Sequence, residues 1–248
     1  GASPALYKNT LIVQWDHLGE DFIAALESST GKEIWRKKRD ERISWTTPLI
    51  VEDAGRVHVI AVAEKWIQSY DILNGDTIWK TEGIKYGNIS TPVAADGIVY
   101  VGSGLQTGKI SAIRLNGAKG DITGSSSILW TYEKHFPYVP SPLIHNGFLY
   151  FTKGEVGFLT CLNAATGQAH YENTRLSGIS HIFASPTGVM DKVVFMGRDG
   201  VAIVIRSGPE FHVLSTNTLD DKFDATPVIV GDEIYLRGHQ YLYCISRQ

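Results

Sequence analysis

Six times along this chain a Ser/Thr-Pro pair opens a short apolar run: Ser3-Pro4, Thr47-Pro48, Thr91-Pro92, Ser141-Pro142, Ser185-Pro186 and Thr226-Pro227. The intervals are 44, 44, 50, 44 and 41 residues. A second marker keeps the same period: Thr30-Gly31 with Trp35, Asn74-Gly75 with Trp79, and Thr166-Gly167 with Tyr171. Self-similarity at a fixed period restricts a chain to architectures in which one supersecondary unit stacks on copies of itself, because one unit cannot bury its own faces.

Each copy reads as four short strands, A to D. In the second copy they are 48–51, 57–61, 67–71 and 77–80. The runs are β-branched and aromatic, bounded by Gly, Asp and Asn, and many are apolar at successive positions, as in sheets covered on both faces. Four strands per copy at this period is the pattern of a β-propeller blade. The expected fold is therefore all-β: one propeller domain of six four-stranded blade units at about 3–40, 41–84, 85–134, 135–176, 177–219 and 220–248. Proline lacks an amide hydrogen and belongs at the start of strand A. The Gly supplies the tight C-to-D turn. Trp35, Trp79, Trp130 and Tyr171 are expected to wedge between blades. The third C-to-D turn, residues 116–127, is rich in Gly and Ser and reads as a flexible surface loop. The sixth copy stops at its third strand, Tyr241-Leu242-Tyr243-Cys244-Ile245, with only Gly1 and Ala2 ahead of the first strand A. Residues 241–245 are thus expected to lack an outer partner and to offer a chain–chain contact.

Charge excludes some classes of partner. A formal net charge of −3 without a basic block argues against nucleic acid. The longest apolar runs, such as Ala202-Ile203-Val204-Ile205, are of strand length, so no membrane span is expected. Cys161 and Cys244 both fall in third strands and read as small buried hydrophobes, not as a disulfide. The abrupt opening Gly1-Ala2-Ser3-Pro4 reads as that of a mature or trimmed chain.

The stretch Ala24-Ala25-Leu26-Glu27-Ser28-Ser29-Thr30-Gly31-Lys32-Glu33-Ile34-Trp35 resembles the A-L-D-x-x-T-G-x-x-x-W repeat of the PQQ-like β-propeller family. Residues 69–79 match again, and 161–171 more weakly. The family includes quinoprotein dehydrogenases, BamB-like assembly proteins and secreted bacterial propellers, and the last are closest in texture. The resemblance implies an extracytoplasmic protein, periplasmic or secreted. It also implies a longer parent, often of eight blades, of which this chain is the C-terminal part. The family's dehydrogenases carry vicinal cysteines, Ca²⁺ ligands and a catalytic Asp. This chain has no adjacent cysteines and none of the other residues can be placed, so no catalytic residue, cofactor or metal ligand is assigned.

Other catalytic patterns are missing too: no G-x-S-x-G, H-E-x-x-H, C-x-x-C or Walker loop occurs. His58 and His170 sit inside strand runs and read as structural, and Asp220-Asp221 reads as a solvated turn. What remains is the loop face onto which the D-to-A and B-to-C connections emerge. Its aromatic and charged residues give the candidate ligand face: Trp15, Asp16, His17, Trp45, Lys65, Trp66, Tyr86, Tyr138, His181, Arg198, Asp199 and His239. Asp199-Gly200 is also a common hairpin turn. Aromatics beside charges suit a protein, peptide or glycan ligand. The expected role is a non-catalytic binding or scaffolding propeller. The alternatives are a fragment of a quinoprotein-like oxidoreductase and an extracytoplasmic sensor module of a larger protein.

Overall fold

A computed structural model describes residues 2–246. Among these residues there is no helix, and 24 strands form six sheets. The chain divides into two compact units, one ending at Lys134 and the other beginning at His135.

The first unit holds three sheets. Sheet 1 is β1 (Ala5–Tyr7), β2 (Thr10–Trp15), β3 (Phe22–Glu27) and β4 (Glu33–Lys38), in that order. Sheet 2 begins with β5 (Leu49–Asp53), β6 (Arg56–Val62), β7 (Trp66–Asp71) and β8 (Thr77–Glu82). Sheet 3 takes β9 (Val93–Ala95), β10 (Ile98–Gly104), β11 (Gly108–Arg114) and, after β12 (Gly120–Asp121), β13 (Ile128–Tyr132). The second unit holds sheet 4, of β14 (Leu143–His145), β15 (Phe148–Thr152), β16 (Phe158–Asn163) and β17 (Ala169–Arg175). Sheet 5 is β18 (Thr187–Val189), β19 (Lys192–Met196), β20 (Val201–Arg206) and β21 (Val213–Thr218). Sheet 6 has three strands among the described residues: β22 (Val228–Val230), β23 (Glu233–Arg237) and β24 (Leu242–Ser246).

Within each unit, sheets stack through apolar faces. Ile12, Ile23, Ala25 and Trp35 of sheet 1 meet Val59, Ala61 and Tyr70 of sheet 2. The opposite face of sheet 2, with Ile60, Ile67 and Trp79, meets Val99, Val101 and Ile113 of sheet 3. In the second unit, Tyr150, Leu159 and Cys161 meet Val193, Phe195 and Ile203, and Met196 meets Leu236 and Phe223. This two-sided burial is why the strands are apolar at consecutive positions.

The Ser/Thr-Pro marker has a bonding role. The amide of Thr47 donates to Thr91 Oγ1 (3.4 Å), that of Ser141 to Ser185 Oγ (3.0 Å) and that of Ser185 to Thr226 Oγ1 (3.0 Å). In these three copies the amide of the residue before the proline has no place in the strand ladder, and the hydroxyl of the next copy satisfies it. Gly75 is required twice over: its φ is +71°, and a Cβ there would lie 2.6 Å from the Trp35 ring of the preceding copy.

Two sequence expectations are corrected. Residues 116–127 are not a loose loop: β12 adds a fifth strand to sheet 2, parallel to β8, pairing Gly120 with Trp79 and Asp121 with Lys80. Ala118 and Ile122 are buried in the cluster around Trp79, so two apolar residues in a Gly/Ser-rich stretch dock it. Cys161 is buried, but Cys244 is exposed, because no strand among the described residues lies outside β24. That open edge was expected at 241–245 and runs from Leu242 to Ser246; Gly1 lies outside the described residues.

Candidate functional site

The expected ligand-face residues fall into two groups, one in each unit. In the first unit the centre is a buried charge network. Arg39 follows β4, and its guanidinium is fully buried against Asp16. Nε donates to Asp16 Oδ1 at 2.7 Å and Nη2 to Oδ2 at 3.3 Å, while Nη1 donates to Tyr70 Oη at 2.7 Å. Glu41 Oε1 lies 3.9 Å from Nη2. The Glu41 carboxylate accepts the amides of Lys65 (2.8 Å) and Trp66 (3.1 Å), tying the connection after sheet 1 to the β6–β7 turn of sheet 2.

Two buried carboxylates share one guanidinium, so the charges do not balance. Burial pushes Glu41 up to about 7, with Arg39 and the two amides opposing it. Burial also raises Asp16, against the pull of Arg39. Arg39 stays charged: burial disfavours the cation, but Tyr70, Asp16 and Glu41 outweigh it. One member is left incomplete. Gln14 Nε2 donates to Asp16 Oδ2 (2.7 Å) and Val62 O (3.1 Å), which fixes the amide, and Gln14 Oε1 is buried without a hydrogen-bond partner among the described residues.

Above this network lies a cavity of about 480 Å³, walled by Leu11, Val13, Ile43 and Pro4 and rimmed by Trp15, Asp16, His17 and Trp45. Trp15 and Trp45 are 53% and 42% exposed. Trp15 packs edge-on against His17 (5.5 Å) and stacks near Phe22 (6.3 Å), on which Arg36 sits at 4.0 Å. By strand register the position of Trp15 is held by Ala63 after β6 and Ser103 in β10, both fully buried. Sheet 1 therefore presents an indole where its neighbours bury a small residue. Four of the expected face residues are thus brought together around one cavity.

The others in this unit are more occupied. Lys65 pairs with Asp40, and Trp66 carries Lys80 at 3.8 Å over its ring. Lys65 edges a charged hollow of about 310 Å³ with Asp40, Glu41, Arg42, Glu64 and Lys85. Tyr86 is exposed at φ +61° and lines neither hollow.

In the second unit Asp224 lies between Arg198 Nε (3.1 Å) and His239 Nε2 (2.9 Å), and Arg198 covers the Phe183 ring at 4.9 Å. The His181 carbonyl accepts the Arg198 amide. Asp199 holds the turn: its Oδ2 accepts the Ser180 amide (2.8 Å) and hydroxyl (2.7 Å). Burial opposes its ionisation, but these donors lower its pKa overall. Tyr138 is half-buried next to the Pro137–Gly154 bridge. His58 is buried with Nδ1 2.9 Å from Ser69 Oγ, a structural imidazole as expected; His170 is exposed and edge-on to Phe148.

Asp221 is not a solvated turn residue. It is buried and accepts the amides of Lys222, His239, Gln240 and Tyr241 and the Tyr243 hydroxyl, at 2.7–3.2 Å. Burial alone would raise its pKa, and the donors bring it below the usual carboxylate value. It performs for the turn before β24 what Glu41 performs for the turn before β7. Arg39, Glu41 and Gln14 escaped the sequence reading for a clear reason. Arg39 and Glu41 lie in Arg36-Lys37-Lys38-Arg39-Asp40-Glu41-Arg42, which has the composition of a solvated charged stretch, and Gln14 is one polar residue in an apolar strand. Among the described residues no group of three or more His, Cys, Asp and Glu is placed to hold a metal ion.

Comparison with known proteins agrees with the repeat. The family model described as outer membrane protein assembly factor BamB matches residues 1–125. A curated relative, the outer membrane protein assembly factor BamB of Francisella salina, is 31% identical over 100 residues, which is 40% of this chain and 18% of the relative. The match therefore spans less than a fifth of that relative's length. The crystal structure of BamB from Moraxella catarrhalis superposes with a TM-score of 0.50 at 15% identity, over 98% of this chain and 92% of that one. A europium-containing methanol dehydrogenase gives a TM-score of 0.63 at 11% identity, over 87% and 50%. These two structures share the fold. With half of its length matched by the family model and its repeats built as four-stranded antiparallel sheets, this chain belongs to the BamB-like, PQQ-like β-propeller family.

Proposed function

We propose that this chain is a non-catalytic binding and scaffolding module, its six copies forming one repeat domain, and that it holds a polypeptide partner at the Trp15–Trp45 surface. One observation carries this reading. Two large indoles stay exposed at an apolar cavity that Asp16, a member of a buried, mutually bonded charge network, also lines. Exposed aromatics on a rigid base lose little entropy on binding and make strong anchors. The curated relative is named an outer membrane protein assembly factor, which supports a protein partner and an extracytoplasmic site of action for this chain. The oxidoreductase reading has only the fold likeness to the methanol dehydrogenase behind it, and a fold does not carry a reaction.

The test uses a urea-unfolded outer-membrane protein as probe, diluted onto the immobilised chain. Trp15→Ala and Trp45→Ala are each expected to weaken capture about tenfold, the loss of one hot-spot contact, with unchanged melting temperature. Absence of capture by the unaltered chain, or capture insensitive to both substitutions, overturns the proposal.

A further inference from the structure

Sheet 2 departs from the repeat at two positions that touch. The register position of His58 is held by Thr10, Ile98, Phe148, Lys192 and Glu233 in the other sheets, each half-buried, whereas His58 is buried. Ser69 stands where the others have Ala25, Ala112, Cys161, Val204 and Cys244, none with a hydroxyl. Ser69 Oγ lies 2.9 Å from His58 Nδ1 and has no other hydrogen-bond partner among the described residues, so its proton goes to Nδ1. Burial holds the imidazole below its usual pKa, with Asp53 opposing. At neutral pH the ring is therefore uncharged and carries its own proton on Nε2, which has no hydrogen-bond partner among the described residues.

A third departure faces this pair. The third and fourth strands are joined by residues 72–76 in sheet 2 but by residues 115–127 in sheet 3. The longer connection docks on sheet 2 through β12, and between its first residues and the β5–β6 turn lies a cavity of about 500 Å³, lined also by His58. Both turns emerge at the end of the sheets opposite the Trp15–Trp45 surface.

The cavity holds opposite charges that the chain does not pair. Arg56 is engaged, its Nε 3.6 Å from Asp71 Oδ2. Asp53 on one wall and Lys119 on the other have neither a hydrogen bond nor an ion pair among the described residues. Ile78, Leu115 and Ala118 add an apolar lining. The volume is that of a small-molecule site. No Trp, Tyr or Phe lines it, so a sugar has no stacking platform, and the Asp53 carboxylate repels a phosphate.

We propose that this cavity binds a small zwitterion, a free α-amino acid with an aliphatic side chain. Its ammonium pairs with Asp53, its carboxylate accepts from Lys119 and His58 Nε2, and its side chain lies on Ile78 and Leu115. Charge-assisted bonds at both ends set the orientation, and the Ser69 bond fixes the imidazole that receives the carboxylate.

The probe is L-leucine, titrated into the intact chain by calorimetry and by NMR of the histidine rings. Saturable binding is expected, with the His58 resonances moving as it saturates. N-acetylleucine, which lacks the ammonium and mimics a peptide C-terminus, and leucinamide, which lacks the carboxylate, should each bind at least about tenfold more weakly. The chain variants Asp53→Asn and Lys119→Ala should each weaken L-leucine binding about tenfold and melt with the unaltered chain, since neither side chain is buried. The proposal is overturned if L-leucine does not bind, if either analogue binds as well as L-leucine, or if both variants bind it unchanged. It is also overturned if binding leaves the His58 resonances unmoved, since the ligand would then sit elsewhere.

Discussion

The indole N–H of Trp35 donates to the carbonyl of Ile72 at 2.8 Å, so the aromatic marker of one copy is bonded to the C-to-D turn of the next. Trp79 occupies the same register position in sheet 2, fully buried, yet its Nε1 has no partner among the described residues. The two tryptophans therefore respond differently to loss of the N–H. Trp35→Phe leaves a buried carbonyl unpaired and is expected to cost about 1–3 kcal/mol in urea unfolding. Trp79→Phe removes an unpaired donor and should cost less. Alanine at either position should cost about 3–5 kcal/mol. A larger loss for Trp79→Phe than for Trp35→Phe would contradict this account.

The marker hydroxyls make a second prediction. Ser185 Oγ accepts the Ser141 amide at 3.0 Å. Ser185→Ala should cost about 1 kcal/mol, the worth of one hydrogen bond, and speed hydrogen exchange at the Ser141 amide. Ser185→Thr keeps the hydroxyl and should be close to neutral on both measurements.

Glu41 makes stability depend on pH. Its pKa is raised by burial from 4.5 to about 7. Between these values the folded chain binds the proton more tightly than the unfolded chain. The contribution is fully present below about pH 4.5 and is lost as pH rises through about 7. Glu41→Gln should therefore flatten the fall in melting temperature between about pH 5 and 8. An unchanged slope would remove Glu41 as its source.

The strand β12 is testable by the same route. Ile122 is buried against the Trp79 cluster, and its amide donates to Lys80 O at 2.9 Å. Ile122→Ala should cost about 2–5 kcal/mol, a core value and not a loop value. A loss below about 0.5 kcal/mol, the range of ordinary surface changes, would return residues 116–127 to loop status.

The architecture was legible because it is periodic. Trp35, Trp79, Thr47 and Ser185 recur at one spacing, and a recurring residue type names a recurring environment. Solitary contacts leave no such trace. Nothing in the charged run at residues 36–42 separates Arg39, fully buried on Asp16, from Arg36, which is half-exposed next to Glu33. The docking of residues 116–127 rests on Ala118 and Ile122, too few to show a period.

The candidate site divides along the same line. Trp15, Asp16, His17 and Trp45 could be selected as aromatic and charged loop-face residues from strand order alone, since alternation and turn position follow from local sequence. Local sequence could not show that Asp16 is consumed by Arg39, that Asp199 holds Ser180, or that Asp221 gathers a whole turn. A carboxylate has the same local signature whether it faces water or a set of amides. By itself the sequence determined the repeat and the antiparallel four-strand pattern of its copies, because backbone pairing and two-sided burial are written into every copy. Only the tertiary structure decided which charges are buried and which indoles stay exposed, because those outcomes depend on contacts across different turns and sheets that each side chain meets once.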